Sequence, residues 1–116
     1  MSAANYDLVI DQGSTFAIDL VVKQSGSAFN LTGYGARAKM KTSKSATEDA
    51  AVFNCSVTDV LLGTLKVELD ATTSAALSPG LYVYDLEIHT LNNSIVTRLI
   101  EGTVNITAGI TVGASG

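Results

Sequence analysis

The chain has 116 residues, 47% of them apolar and 16% charged, with a formal charge of −4 and a pI of about 4.6. This length supports one domain with one core, and the composition excludes a disordered chain. The acidic balance argues against a phosphate backbone as the main partner. A lone cysteine, Cys55, rules out an intrachain disulfide.

The N-terminus, MSAANYDLVI, lacks the basic and apolar regions of a signal peptide. No window approaches the roughly 18 apolar residues of a spanning helix. The chain is therefore expected to be made in a cytoplasm, with no membrane as partner. The sequons at Asn30, Asn54, Asn92 and Asn105 are expected to carry no glycan.

In chain order the periodicity predicts strands almost throughout. Residues Tyr6–Ile10 open, and DQGS breaks them as a turn. Thr15–Lys23 sets Phe16, Ile18, Leu20 and Val22 on one face, with Asp19 and Lys23 on the other. After a second turn, QSGS, the segment AFNLTGY is expected to plug one end of the core with Phe29 and Leu31. Gly35–Thr42 alternates Ala36, Ala38 and Met40 against Arg37, Lys39 and Lys41. A polar loop, SKSATED, leads to Ala51–Val57, with Phe53, Cys55 and Val57 in phase, and then to Thr64–Asp70, with Leu65, Val67 and Leu69 in phase.

The only helical signal follows: Asp70 caps a single turn through Ala76–Leu77 that Pro79 and Gly80 end. The next strand, within Pro79–Ile88, puts Tyr82, Tyr84, Leu86 and Ile88 inward against Val83, Asp85 and Glu87. LNNS then reads as a two-residue type I′ hairpin on Asn92 and Asn93. That register sets Glu87 opposite Arg98 as an ion pair and Leu86 opposite Leu99. Carried further it would bury Glu101 beside Tyr84, so a β-bulge is expected at Gly102, returning Val104 and Ile106 to the core. About seven strands and one short helical turn before a C-terminal hairpin predict an all-β antiparallel sandwich. Residues 1–116 form one domain, with 1–5 as an N-terminal arm and 108–116 as a C-terminal tail.

Reactive chemistry is sparse. His89 is the only histidine, with no second histidine or cysteine to complete a zinc site or triad. Cys55 reads as a buried inert thiol. Asp85, Glu87 and Glu101 read as a solvated face rather than an acid–base pair. Asp7, Asp11, Asp49 and Asp59 are too scattered for a calcium loop, and GYGARA lacks the context of a phosphate cradle. Neither a catalytic residue nor a cofactor is implied. The one gathering of charge is Arg37, Lys39 and Lys41 with Lys44. It reads either as a row that keeps a sheet edge soluble or as a docking site for an acidic partner surface.

Four segments carry a further pattern: QGSTF (Gln12–Phe16), LTGY (Leu31–Tyr34) before the basic strand, PGLYVYDLE (Pro79–Glu87) and TRLIEG (Thr97–Gly102). In this order, from about Tyr6 to Thr107, the chain resembles the small Ig-like modules of tailed-bacteriophage virions. The resemblance implies an Ig-like sandwich and a non-enzymatic virion component, either of the tail and baseplate or a capsid decoration protein. Its partners would be other virion proteins and further copies of itself, and its location the virion. A carbohydrate- or receptor-binding module is the alternative; it needs exposed aromatic rings, whereas Tyr6, Tyr34, Tyr82 and Tyr84 mostly fall in core phase.

Overall fold

The computed structural model describes residues 4–108. The first three residues of the expected arm, and all of the expected tail beyond Ala108, lie outside the described residues. Ten strands and one helix follow in order: β1 (Ala4–Asn5), β2 (Leu8–Asp11), β3 (Phe16–Val21), β4 (Lys23–Gln24), β5 (Ser27–Ala28), β6 (Tyr34–Lys41), β7 (Ala51–Asp59), β8 (Thr64–Leu69), α1 (Ala71–Ala75), β9 (Gly80–Thr90) and β10 (Val96–Thr107). Seven of these are longer than two residues, and they match the seven read from the periodicity.

Hydrogen-bonded neighbours run β1-β10-β9-β6-β7-β8-β3, with β2 also on β10. The path curls into two layers because β7 belongs to both. Its first residues, Ala51–Phe53, pair with Met40–Ala38 of β6. From Asn54 onward it pairs instead with β8. The front sheet is thus β1/β2, β10, β9, β6 and the start of β7; the back sheet is the rest of β7, β8 and β3. All pairings among the long strands are antiparallel except β2 on β10. The strand alternations meet between the layers: Met40, Leu65, Leu86, Ile88, Val104 and Ile106 are each at most 2% exposed. Leu31 is fully buried and Phe29 packs on the core, plugging one end as expected.

The other end is closed by polar ties. The Asp70 carboxylate accepts from Thr73 N at 2.7 Å, capping α1. Ser74, fully buried, donates to Ser14 O at 2.7 Å and accepts from Gly13 N at 3.1 Å. After α1 drops Leu77 into the core, Tyr82 at the start of β9 donates to Ser78 O at 2.7 Å. This is the tyrosine corner of Ig-type sandwiches, where the phenol fixes the connection entering the strand. The chain is an all-β, Ig-like sandwich that keeps the corner and lacks the inter-sheet disulfide.

Four expectations change. The β9–β10 loop spans four residues, Leu91–Ser94, because Thr90 N donates to Ile95 O. Only Asn93 takes positive φ, at 60°, so the turn is not type I′. Asn92 and Thr90 side chains satisfy the wider loop's donors, Ser94 N and Ile95 N. The bulge falls at Leu99, between Arg98 and Ile100, so Ile100 rather than Leu99 faces Leu86. There both apolar side chains lean on the core, and Glu101 still turns outward opposite Asp85.

Gly102 serves a different purpose from the bulge expected there. A Cβ at this position would collide with the main-chain oxygen of Tyr6, which accepts the Tyr84 hydroxyl. The N-terminal segment thereby lies down against β10, and Ala4–Asn5 of the expected arm pair with Ile100–Glu101. Tyr6 itself is 48% exposed rather than in the core.

Candidate functional site

The long hairpin β9–β10 and strand β6 lie side by side, so their outward residues form rows across the front sheet. Arg37, Glu87 and Arg98 make one row, Lys39, Asp85 and Glu101 the next, and Lys41, Val83 and Thr103 the third. Together with the Ser43–Ala46 turn carrying Lys44, these rows line an open concavity of about 710 Å³. β6 is an interior strand flanked by β9 and β7. The basic row therefore does not guard a sheet edge, and that reading of it is corrected.

The expected Glu87–Arg98 ion pair is replaced by three others. Arg37 Nε donates to Glu87 at 2.9 Å, and Arg98 bridges Asp85 at 3.2 Å and Glu101 at 3.4 Å. Arg98 turns to Asp85 because the bulge one residue on places Glu101, and with it Asp85, on its other side. Lys39 and Lys41 share Asp49, at 3.5 and 4.0 Å. Lys44 has no carboxylate within 4.0 Å among the described residues.

Asp85 sits above its ordinary carboxyl value: burial raises it first, Glu87 next, and Arg98 pulls the other way. Each of these pairs is partly open to solvent, and such pairs are worth about 0–1 kcal/mol each. They orient the side chains and contribute little to holding the fold.

The charge is unevenly placed. Five of the seven Lys and Arg residues line the concavity with three of the eleven carboxylates, a local balance of +2. The remaining two cations and eight carboxylates leave the rest of the chain at −6. The four cations picked out from the sequence do come together here; Arg98 was not among them. Its signal was present in TRLIEG, but only the β6–β9 pairing, between residues 50 apart in the case of Arg37 and Glu87, shows that it joins them.

The reactive candidates lie elsewhere. The His89 ring covers Gly35, leaving about 3.0 Å to where a Cβ would stand, and its Nδ1 is 3.0 Å from Thr90 O. Burial pushes the Cys55 thiol up to about 11, outweighing the hydrogen bond with the Ala38 backbone, so it is protonated and unreactive at neutral pH. No cluster of three metal-ligating side chains occurs among the described residues, and no helix there is long and apolar enough to cross a membrane. The fold and this face define an Ig-like sandwich with a charged, concave front sheet. No protein-family profile and no curated protein matches the chain.

Proposed function

We propose that this protein is a non-enzymatic structural component of a bacteriophage virion, of the tail and baseplate or a capsid decoration protein, that docks acidic surfaces of neighbouring virion proteins on its front sheet. The order of the QGSTF, LTGY, PGLYVYDLE and TRLIEG segments suggests the virion setting. The observation that carries the docking reading is the +2 face on a chain whose remainder is −6. Electrostatic complementarity of that kind sets orientation and encounter rate more than raw affinity. The inert Cys55 and the packed His89 favour a binding role over catalysis.

Incorporation into particles tests this. Lys44→Glu touches no intramolecular ion pair, so a loss of incorporation with an unchanged melting temperature reports docking alone. Lys39→Glu with Lys41→Glu should lose more. Normal incorporation of all these variants would reduce the row to solubility.

The alternative, a glycan-binding module, needs paired exposed rings. The Tyr6 main-chain N–H donates to Glu101 O, and Glu101 faces Asp85. Tyr34 faces Thr90 and packs edge-on against Phe29. Five residues of β9 separate the two backbone positions, roughly 17 Å along the strand, so the two tyrosines do not stand at neighbouring positions on the sheet. The rings therefore favour the docking reading.

A further inference from the structure

The two ends of the strand path are finished differently. At the front edge the chain is short and broken: β1 and β2 are interrupted at Tyr6–Asp7. Carboxylates are tied down along it, Asp7 accepting from Thr103 N and Asp11 from the Thr107 hydroxyl. Short, interrupted, charged edges resist adventitious pairing. At the back edge, β3 runs six unbroken residues with β8 as its one neighbour among the described residues. It carries no Pro, Lys or bulge.

Ig-type sandwiches place a first strand outside this position, completing a four-stranded sheet. Here the N-terminal strands have gone wholly to β10, and the place beside β3 is vacant among the described residues. The packing registers the vacancy. Phe16, Ile18 and Leu20 face the core yet stay partly exposed, while their β8 partners Leu69, Val67 and Leu65 are at most 3% exposed.

We propose that the β3 edge accepts an extended strand from a partner polypeptide that alternates apolar residues toward the core and carries a basic residue opposite Asp19. Main-chain bonds along about 20 Å of edge supply the affinity, and side-chain alternation supplies the register. Asp19 fixes the charge. It is exposed, in register with Lys66, and has no cation within 4.0 Å among the described residues. Pairing two copies of β3 about a two-fold axis through Asp19 would oppose two carboxylates, which is unfavourable. A strand with Lys or Arg at that point gains instead. This acceptor edge is separate from the front-sheet face and does not depend on the virion reading.

The test uses the full chain and a capped peptide alternating Val and Thr around one central Lys, followed by amide NMR. The expected result is shift changes and slowed hydrogen exchange confined to Phe16–Val21 and its β8 partners. Asp19→Lys should weaken this peptide roughly fivefold and strengthen its central-Glu counterpart by a similar factor. Asp19→Asn, which adds no repulsion with Lys66, should fall between. Perturbation of β2 and β10 instead, or no response of β3 at millimolar peptide, overturns the proposal. So do affinities indifferent to the charge at position 19. Concentration-dependent protection of the β3 amides without peptide would show a second copy as the occupant, and would overturn the choice of a heterologous strand.

Discussion

Alkaline pH should destabilise this protein through two identifiable groups. The Tyr84 hydroxyl is pushed up to about 12, by burial first and then by Tyr6 and Asp7, from an ordinary 10.0. Cys55 is pushed up to about 11 from 9.0. Both groups are neutral when protonated, so each raised value means that the fold favours the protonated form. The associated stability is complete below the unfolded value and is lost as pH rises through the folded one. For Cys55 that window is pH 9 to 11, and for Tyr84 pH 10 to 12.

Two units correspond to at most about 2–3 kcal/mol per group, and solvent screening of these incompletely buried groups lowers that to about 1–2 kcal/mol each. Together that is a sizeable fraction of the roughly 5–15 kcal/mol stability of a small domain. Urea midpoints from pH 8 to 12 measure it. Tyr84→Phe should lose about 1 kcal/mol at neutral pH, from the missing bond to Tyr6 O. It should also flatten the decline above pH 10. Cys55→Ala should flatten the decline between 9 and 11. If the wild type and the double variant decline in parallel from pH 9 to 12, burial of these two groups is not what sets alkaline stability.

Three further outcomes follow from single contacts. Gly63→Ala should cost more than about 3 kcal/mol, since its φ is +68° and a Cβ would stand 2.7 Å from both the Phe29 and Val22 carbonyl oxygens; thermal melts check it. Ser74→Ala should cost about 1–3 kcal/mol by orphaning Gly13 N at a fully buried position. Faster hydrogen exchange in the Gln12–Ser14 turn would show the same loss locally. Arg98→Ala should move stability by less than about 1 kcal/mol, because its pairs with Asp85 and Glu101 are solvent-exposed.

Period-two alternation made β3, β6, β8 and β9 legible, because each has one face in the core and one in water. Asp70 and Pro79–Gly80 likewise bounded the helical turn. The bulge was detectable as a conflict, Glu101 against Tyr84, but its place was not. Moving it to Leu99 depends on where Leu99 and Ile100 find core contacts, which is a tertiary fact. Gly102 announced a special position, and its reason, the close passage of Tyr6, lies 96 residues away. The site was half visible. Alternation shows that Arg37, Lys39 and Lys41 share a face, but not that β9 lies beside them or that Asp49 reaches back from the loop. Charge on an outer face reads alike on an edge and on an interior strand, so the edge reading failed where only strand order could correct it.

The front-sheet face and the β3 edge differ in the physics of attachment, and salt separates them. Between about 0.1 M and 1 M salt the Debye length falls from about 10 to 3 Å. Attraction between the partly exposed cations and a neighbour's carboxylates is then largely screened. Strand pairing on β3 rests mainly on main-chain bonds and on burial of Phe16, Ile18 and Leu20, which salt does not weaken, so high salt removes no more than the roughly fivefold share of a charge paired with Asp19. Light scattering over a dilution series at both salt levels therefore assigns any self-association. An oligomer that dissolves at high salt, and is weakened by Lys44→Glu at low salt, uses the charged face. One that persists at high salt and ignores Lys44→Glu uses apolar or main-chain surface, either the β3 edge or the exposed Leu61, Leu62 and Leu91 of the loops at the end of the strands plugged by Leu31. A monomer under both conditions refutes assembly from copies of this chain alone, and both surfaces are then left to partners of different sequence.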